Sequence, residues 1–172
     1  GLDMLDLRAM KDNGVQLGWV AGVNKRSVSE LVICYAISML RHVPAAQRGV
    51  LAGDWKQFKG RLLTGKTVGI IGCGHVGKDL VPLLRAFDCR VLVNDVLEFP
   101  DFYFAHAVEP VKLNSLLADS DIVTLHTPLN EETKNILSAE RLSKMKKGSI
   151  LINLARGNLV DELALKRLLK SK

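Results

Sequence analysis

Residues 67–77 read TVGIIGCGHVG, an apolar, largely β-branched run that passes straight into glycines at 72, 74 and 77. By length and composition Thr67 to Ile71 is a strand, and the stretch behind the glycines, His75 to Phe87, has helical spacing. A G-x-G-x-x-G turn between strand and helix has a mechanical meaning. Gly72 permits the tight turn, Gly74 lets a diphosphate approach the backbone, and Gly77 lets helix and strand pack closely. Amides at the start of the helix then face the anion. Pro82 lacks a donor inside that helix and predicts a kink.

Further along, the strand Arg90 to Asp95 ends in Asn94-Asp95, eighteen residues past Gly77. A carboxylate there accepts from the two hydroxyls of an adenosine ribose and repels a 2′-phosphate. Val96, Leu97 and Glu98 supply no arginine for such a phosphate, so NAD is expected over NADP. More strands are predicted at Asp121 to Leu125 and Ser149 to Asn153, with a weaker one near Phe104 to Val108. Helices are predicted at Val111 to Ala118, Ser138 to Met145 and Asp161 to Lys170. Short, nearly continuous apolar strands alternating with helices describe an α/β fold: a Rossmann-type doubly wound parallel sheet with helices on both faces.

Ahead of this alternation the pattern changes. Ser27 to Glu30 has the form of a capping box. The helix it would open, Ser27 to Leu40, carries Val28, Leu31, Val32, Tyr35, Met39 and Leu40 at three- and four-residue spacings, flanked by Ile33 and Ile37. That pattern predicts wide burial, in the core or against another subunit. Gly49 to Lys66 reads as a loop-rich connection. Residues 1–20 predict a helix at Asp3 to Lys11 and a strand at Gln16 to Val20, too little to form a domain alone.

The chain has 172 residues, room for about one domain of ordinary size. Apolar residues at 48% and charged residues at 24% exclude a disordered or low-complexity chain. The longest apolar stretch, Leu31 to Leu40, is broken by Ser38 and falls short of the ~20 residues that cross a bilayer. The opening GLDMLDLRAM lacks the basic-then-apolar form of a secretory signal, so a cytoplasmic location is expected. The net charge of +6 raises nucleic acid as a partner. However, the densest basic cluster, Lys144, Lys146 and Lys147, sits at a predicted helix end, where cations complement exposed carbonyls. With only 5% aromatics, nucleic acid is not expected. Cys34, Cys73 and Cys89 have neither metal-ligand nor disulfide spacing; reduced core thiols and no metal site are expected.

Two more motifs lie just past predicted strands, where open α/β sheets bind ligands: His126-Thr127-Pro128-Leu129, and Asn153-Leu154-Ala155-Arg156-Gly157. A guanidinium at such a place can hold a carboxylate through two parallel hydrogen bonds. Taken alone, an arginine before a glycine is more often a solvated loop residue.

Together, SVSEL, GIIGCGHVG, a strand ending in Asp95, LHTPLNEETKNIL and LINLARGNLVDE resemble the D-isomer-specific 2-hydroxyacid dehydrogenases over nearly the whole chain. The last motif, with Asn153, Ala155, Arg156, Gly157, Val160, Asp161 and Glu162, is much more specific than the glycine turn. The resemblance implies that His75 and Val76 meet the pyrophosphate and Asp95 the ribose. It places Thr127, Pro128 and the segment Leu154, Ala155 and Arg156 on the nicotinamide side. Arg156 corresponds to the catalytic arginine that grips the substrate carboxylate. The implied reaction is reversible hydride transfer between NAD and a 2-hydroxy or 2-oxo acid, in a homodimer built through the helix Ser27 to Leu40.

Departures from the family pattern carry expectations of their own. His75 stands where the family usually has Arg, which implies a weaker or pH-dependent phosphate contact. The family's catalytic Glu and His have no counterpart up to Lys172, and none of His42, His75, His106 and His126 matches the motif of the catalytic His. The opening residues resemble the connection out of a substrate domain. The expected organisation is therefore 1–26 as a remnant of the substrate-binding domain and linker, and 27–172 as an NAD-binding domain incomplete at its C-terminus. Such a fragment is expected to be able to bind NAD, with turnover absent or very low. An NAD-sensing corepressor-like scaffold and an S-adenosylmethionine-dependent methyltransferase, which also joins a glycine turn to an acidic strand end, are the alternative readings.

Overall fold

The computed structural model describes residues 2–171. In chain order, α1 spans Leu7–Asp12, α2 Lys25–Leu40, α3 Val43–Leu51, β1 Thr67–Ile71, α4 His75–Ala86, β2 Arg90–Asn94 and α5 Pro100–His106. They are followed by β3 Glu109–Pro110, α6 Leu113–Asp119, β4 Ile122–Leu125, α7 Ala139–Ser143, β5 Ile150–Asn153 and α8 Glu162–Lys170. The strands form one parallel sheet in the order β3-β2-β1-β4-β5. The chain winds one way from β1 to β3 and the other way from β4 to β5. The loops leaving β1 and β4 therefore diverge at their carboxyl ends and leave a crevice between them.

Side chains alternate across the sheet, as the period of two requires. Val68, Ile70, Val91, Val93, Ile122 and Ile152 face one way, onto Val32, Ala36 and Leu40 of α2, Leu80, Val81 and Leu84 of α4, and Tyr103 of α5. Ile71, Leu92, Val123 and Leu125 face the other way, onto Leu116 and Leu117 of α6, Leu142 of α7 and Ala164 of α8. Each valine, leucine or isoleucine side chain so buried contributes roughly 1.5–3 kcal/mol. Gly69 shows how closely the layers meet: a Cβ there would lie 2.4 Å from Leu116 Cδ2 and Ser120 Oγ.

Several sequence expectations are corrected. Phe104 to Val108 is not a strand. Phe99, Phe102, Tyr103 and His106 recur at helical spacing, Pro100 pre-sets the first turn of α5, and Ala107 at φ 49° ends it; only Glu109–Pro110 pair with β2. Gln16 to Val20 forms no strand; Leu17, Trp19 and Val20 are exposed, and the segment joins no sheet edge. The capping box at Ser27 and Glu30 is absent, because α2 starts at Lys25 behind Asn24 and Ser27 already lies in its first turn. Wide burial of that helix does not occur within the chain: Ser29, Val32, Ala36 and Leu40 are buried, while Leu31, Tyr35 and Met39 are exposed. Cys34 lies on the exposed side and is no core thiol, whereas Cys73 and Cys89 are buried. The connection before β1 is partly helical, since α3 runs to Leu51. The helix expected from Asp3 is a 3-10 turn at Leu2–Met4 followed by α1, whose N-cap Asp6 accepts from the Ala9 amide.

Candidate functional site

The glycine turn lies between the ends of β1, β2 and β4. Gly72 adopts φ +99°, and a Cβ there would stand 2.8 Å from the carbonyl carbon of His126 and 2.9 Å from the Thr127 nitrogen. A Cβ at Gly77 would come within 2.3 Å of the Gly72 oxygen. These two positions are closed to any side chain by neighbouring backbone. Gly74 is different. It caps α4, has no atom within 4 Å of its would-be Cβ, and opens onto free space in front of the helix. His75 is exposed beside it, and Val76 is half-buried.

The loop is tied to the end of β2. The Gly72 amide donates to the Asn94 carbonyl at 2.8 Å, and the Cys73 amide donates to Asp95 Oδ2. Asp95 Oδ1 accepts from the Leu97 amide at 2.9 Å. Burial, reinforced by the Asp95 charge, pushes the Cys73 thiol up to about 11, so it stays protonated. A cleft of about 610 Å³ opens beside Asp95, lined by Val93, Leu97, Pro100, Tyr103 and Val111 among others. Lys78 of α4 places its ammonium 3.3 Å from the centre of the Phe99 ring, holding the turn after β2 against the helix.

Across the crevice, the His126 amide continues the sheet by donating to the Ile71 carbonyl at 2.7 Å. Its Nε2 is 3.0 Å from Thr124 Oγ1, and burial lowers the imidazole to about 4. A ring so weakly basic is neutral near pH 7 and is a poor proton acceptor. Thr127 Oγ1 is buried and has no hydrogen-bond partner among the described residues. The exposed Pro128 follows it, its carbonyl accepting from Thr133 Oγ1 at 2.7 Å.

At the end of β5, Asn153 shapes the next loop. Its Oδ1 accepts from the Ala155 amide at 3.1 Å and its Nδ2 donates to the Arg156 carbonyl at 2.7 Å. Leu154, Ala155 and Arg156 are half-buried, and an Arg156 guanidinium nitrogen donates to the Ala155 carbonyl at 2.8 Å. The sequence-predicted residues thus all stand at the carboxyl ends of β1, β2, β4 and β5.

Three contributors carry no motif. Gly22, at φ +72°, passes so close to His75 that a Cβ would meet the ring carbon Cγ at 2.6 Å. Arg26 on α2 pairs at 3.1 Å with Asp79 on α4, whose side chain is 9% exposed. Lys78 reaches Phe99 from a different element. A glycine in the segment ahead of α2 was the only sequence signal for any of these.

A crevice at the reversal point of a doubly wound sheet, with an open helix N-terminus on one side and an unpaired buried hydroxyl on the other, suits a long polar ligand. The family model described as "D-isomer specific 2-hydroxyacid dehydrogenase, NAD binding domain" matches residues 33–172. The chain belongs to this family. Hydroxypyruvate reductase of Thermotoga maritima is 36% identical over 167 residues, which cover 96% of this chain and 54% of that protein. Glyoxylate reductase of Korarchaeum cryptofilum is 34% identical, over 99% of this chain and 53% of the relative. Among solved structures, the pyruvate reductase of Chlamydomonas reinhardtii superposes with a TM-score of 0.90 at 35% identity, over 99% of this chain and 51% of that one. D-lactate dehydrogenase of Lactobacillus jensenii, solved with NAD+, gives 0.85 at 28% identity over 99% and 52%. The chain therefore spans about half the length of these relatives. The comparisons leave the methyltransferase and corepressor readings unsupported.

The residues present fit the NAD of this dehydrogenase family. Gly74 leaves room for a diphosphate where a side chain would intrude, and the Thr127 hydroxyl is a buried polar atom in want of a partner. No helix among the described residues is long and apolar enough to cross a membrane. No cluster of His, Cys, Asp and Glu among them has the form of a metal site.

Proposed function

We propose that this chain is the NAD-binding part of a dehydrogenase that interconverts a D-2-hydroxy acid and its 2-oxo acid. The observation that carries the reading is the crevice between β1 and β4, open at Gly74 and lined by the unpaired Thr127 hydroxyl. Gly72, Gly74, His75, Val76 and Gly77 present backbone to the pyrophosphate, with the amides of the first turn of α4 facing its charge. Asp95 accepts from the adenosine ribose and disfavours a 2′-phosphate. Thr127, Pro128, Leu154 and Ala155 border the nicotinamide. The cofactor, when bound, supplies the hydride acceptor or donor. Arg156 holds the substrate carboxylate and draws electron density from the neighbouring carbonyl, favouring the charge that develops on its oxygen.

His126 is neutral and tied to Thr124, so the proton of the substrate hydroxyl is not assigned to it. Residues 1–26 serve as the connection to a substrate-binding domain, and 27–172 form the cofactor domain. The location proposed is the cytoplasm. The pairing proposed is a homodimer through the outer face of α2, where Leu31, Tyr35 and Met39 are 41%, 45% and 52% exposed. Titration with NADH and NADPH tests the cofactor assignment: NADH should bind at least tenfold more tightly, and equal affinities would sink it. In the full-length dehydrogenase, Arg156→Gln should raise KM for the 2-oxo acid by about 10²-fold, the loss of a charge-assisted bidentate contact. Unchanged KM would remove Arg156 from that role.

A further inference from the structure

We propose that Asp95 is a positioning residue for the glycine loop as well as a ribose acceptor. The inference rests on NAD as the ligand but starts from the free protein. One carboxylate oxygen takes the amide hydrogen of Cys73, in the middle of the loop, and the other takes that of Leu97. Cys73 is completely buried, so its amide has no water to turn to when the carboxylate is gone. The neighbouring Gly72 amide is already committed to the Asn94 carbonyl.

The loop has no slack elsewhere. Gly72 is wedged against the main chain of residues 126 and 127, and its carbonyl oxygen lies against Gly77. The Gly74 carbonyl accepts from the Lys78 amide at 2.9 Å, and the bond from Cys73 to Asp95 is the side-chain tie that sets the direction of the peptide groups entering Gly74 and His75, where the diphosphate arrives. A carboxylate oxygen has lone pairs for more than one donor, so holding these amides does not prevent Asp95 from accepting ribose hydroxyls. The carboxylate couples the two halves of adenosine diphosphate recognition: it reads the sugar and orders the phosphate loop. An amide in its place can accept through only one atom and must give up one of the two backbone bonds.

The test crosses two proteins, wild type and Asp95→Ala, which removes both acceptors, with two ligands: NADH and its analogue lacking both the 2′- and the 3′-hydroxyl of the adenosine ribose. Asp95→Ser serves as second variant should Asp95→Ala fold poorly. If Asp95 only reads the ribose, the variant and wild type bind the deoxy analogue within about twofold of one another. If it orders the loop, the variant binds the deoxy analogue at least tenfold more weakly. Amide exchange in the free proteins gives the second readout: the Cys73 amide should exchange at least tenfold faster in the variant. Equal affinity for the deoxy analogue, or unchanged exchange at Cys73, overturns the proposal. If wild type binds neither ligand, the cofactor assignment fails instead, and exchange at Cys73 alone decides the clamp.

Discussion

His126 links the architecture of the crevice to a measurable dependence on pH. The residue follows β4 with its ring 3.0 Å from Thr124 Oγ1, and desolvation lowers its pKa from the usual 6.5 to about 4. In the unfolded chain the ring protonates near 6.5, and in the folded chain only near 4. Between those values the unfolded state binds more protons, so folding stability is complete above pH 6.5 and is lost as pH falls toward 4. The full loss is about 3 kcal/mol for a shift of this size, and by pH 5 about 2 kcal/mol of it has gone.

Urea unfolding at about pH 7.5 and pH 5.0, in wild type and His126→Gln, isolates this contribution. Glutamine keeps a donor within reach of the Thr124 hydroxyl and does not titrate. The variant should be within about 1 kcal/mol of wild type at the higher pH, where the buried polar contact is retained. At the lower pH it should lose about 2 kcal/mol less than wild type does, since carboxylates titrate alike in both. Equal losses in the two proteins, or an NMR titration of His126 near 6.5, would refute the argument.

Other perturbations separate stability from binding. Gly74→Ala should leave stability within about 0.5 kcal/mol, because nothing lies near the added methyl. It should weaken NADH by about tenfold or more, the cost of a methyl in occupied space. Gly77→Ala should do the reverse first, costing about 1–3 kcal/mol in urea unfolding as its Cβ meets the Gly72 oxygen. Thr127→Val removes an unpaired buried hydroxyl and should stabilise the free protein by about 1 kcal/mol while weakening NADH. A destabilised valine variant would show the hydroxyl to be satisfied already. Arg26→Ala should cost about 1–3 kcal/mol because it strands the buried Asp79 carboxylate. Asp79→Asn should cost less.

The strands and glycine turn were legible because their causes are local. A β-branched run flanked by turn residues needs little else to be a strand, and Gly72, Gly77 and Gly74 act through the backbone on either side of them. Strand-end residues such as Asp95, Thr127 and Arg156 follow, because ligands of open sheets gather at that edge. The failures share a different cause. The aromatics of α5 favour strands by propensity, yet tertiary packing of Phe99, Phe102 and Tyr103 selected the helix. Gln16 to Val20 has strand-like composition but found no sheet edge, and sequence does not announce whether a partner exists. Gly22 beneath His75, Arg26 beside Asp79 and Lys78 over Phe99 each join elements distant in sequence, and no spacing rule reaches across them.

Order at the crevice has a common local source. Asp95 and Asn130 follow β2 and β4 and Asn153 ends β5, and each side-chain oxygen accepts from the amide two residues on: Leu97, Glu132 and Ala155. Such turns cost no tertiary contact to form, because the donor and acceptor are neighbours in the chain. They fix three loops whose backbone groups would otherwise be solvated and mobile. A ligand entering such a site meets main chain already in place, and the entropy of ordering these loops is absent from its binding. Among the described residues, Asp95 alone of the three also reaches a second loop, through Cys73. Replacing Asn130 or Asn153 should therefore loosen one loop, whereas replacing Asp95 should disturb two.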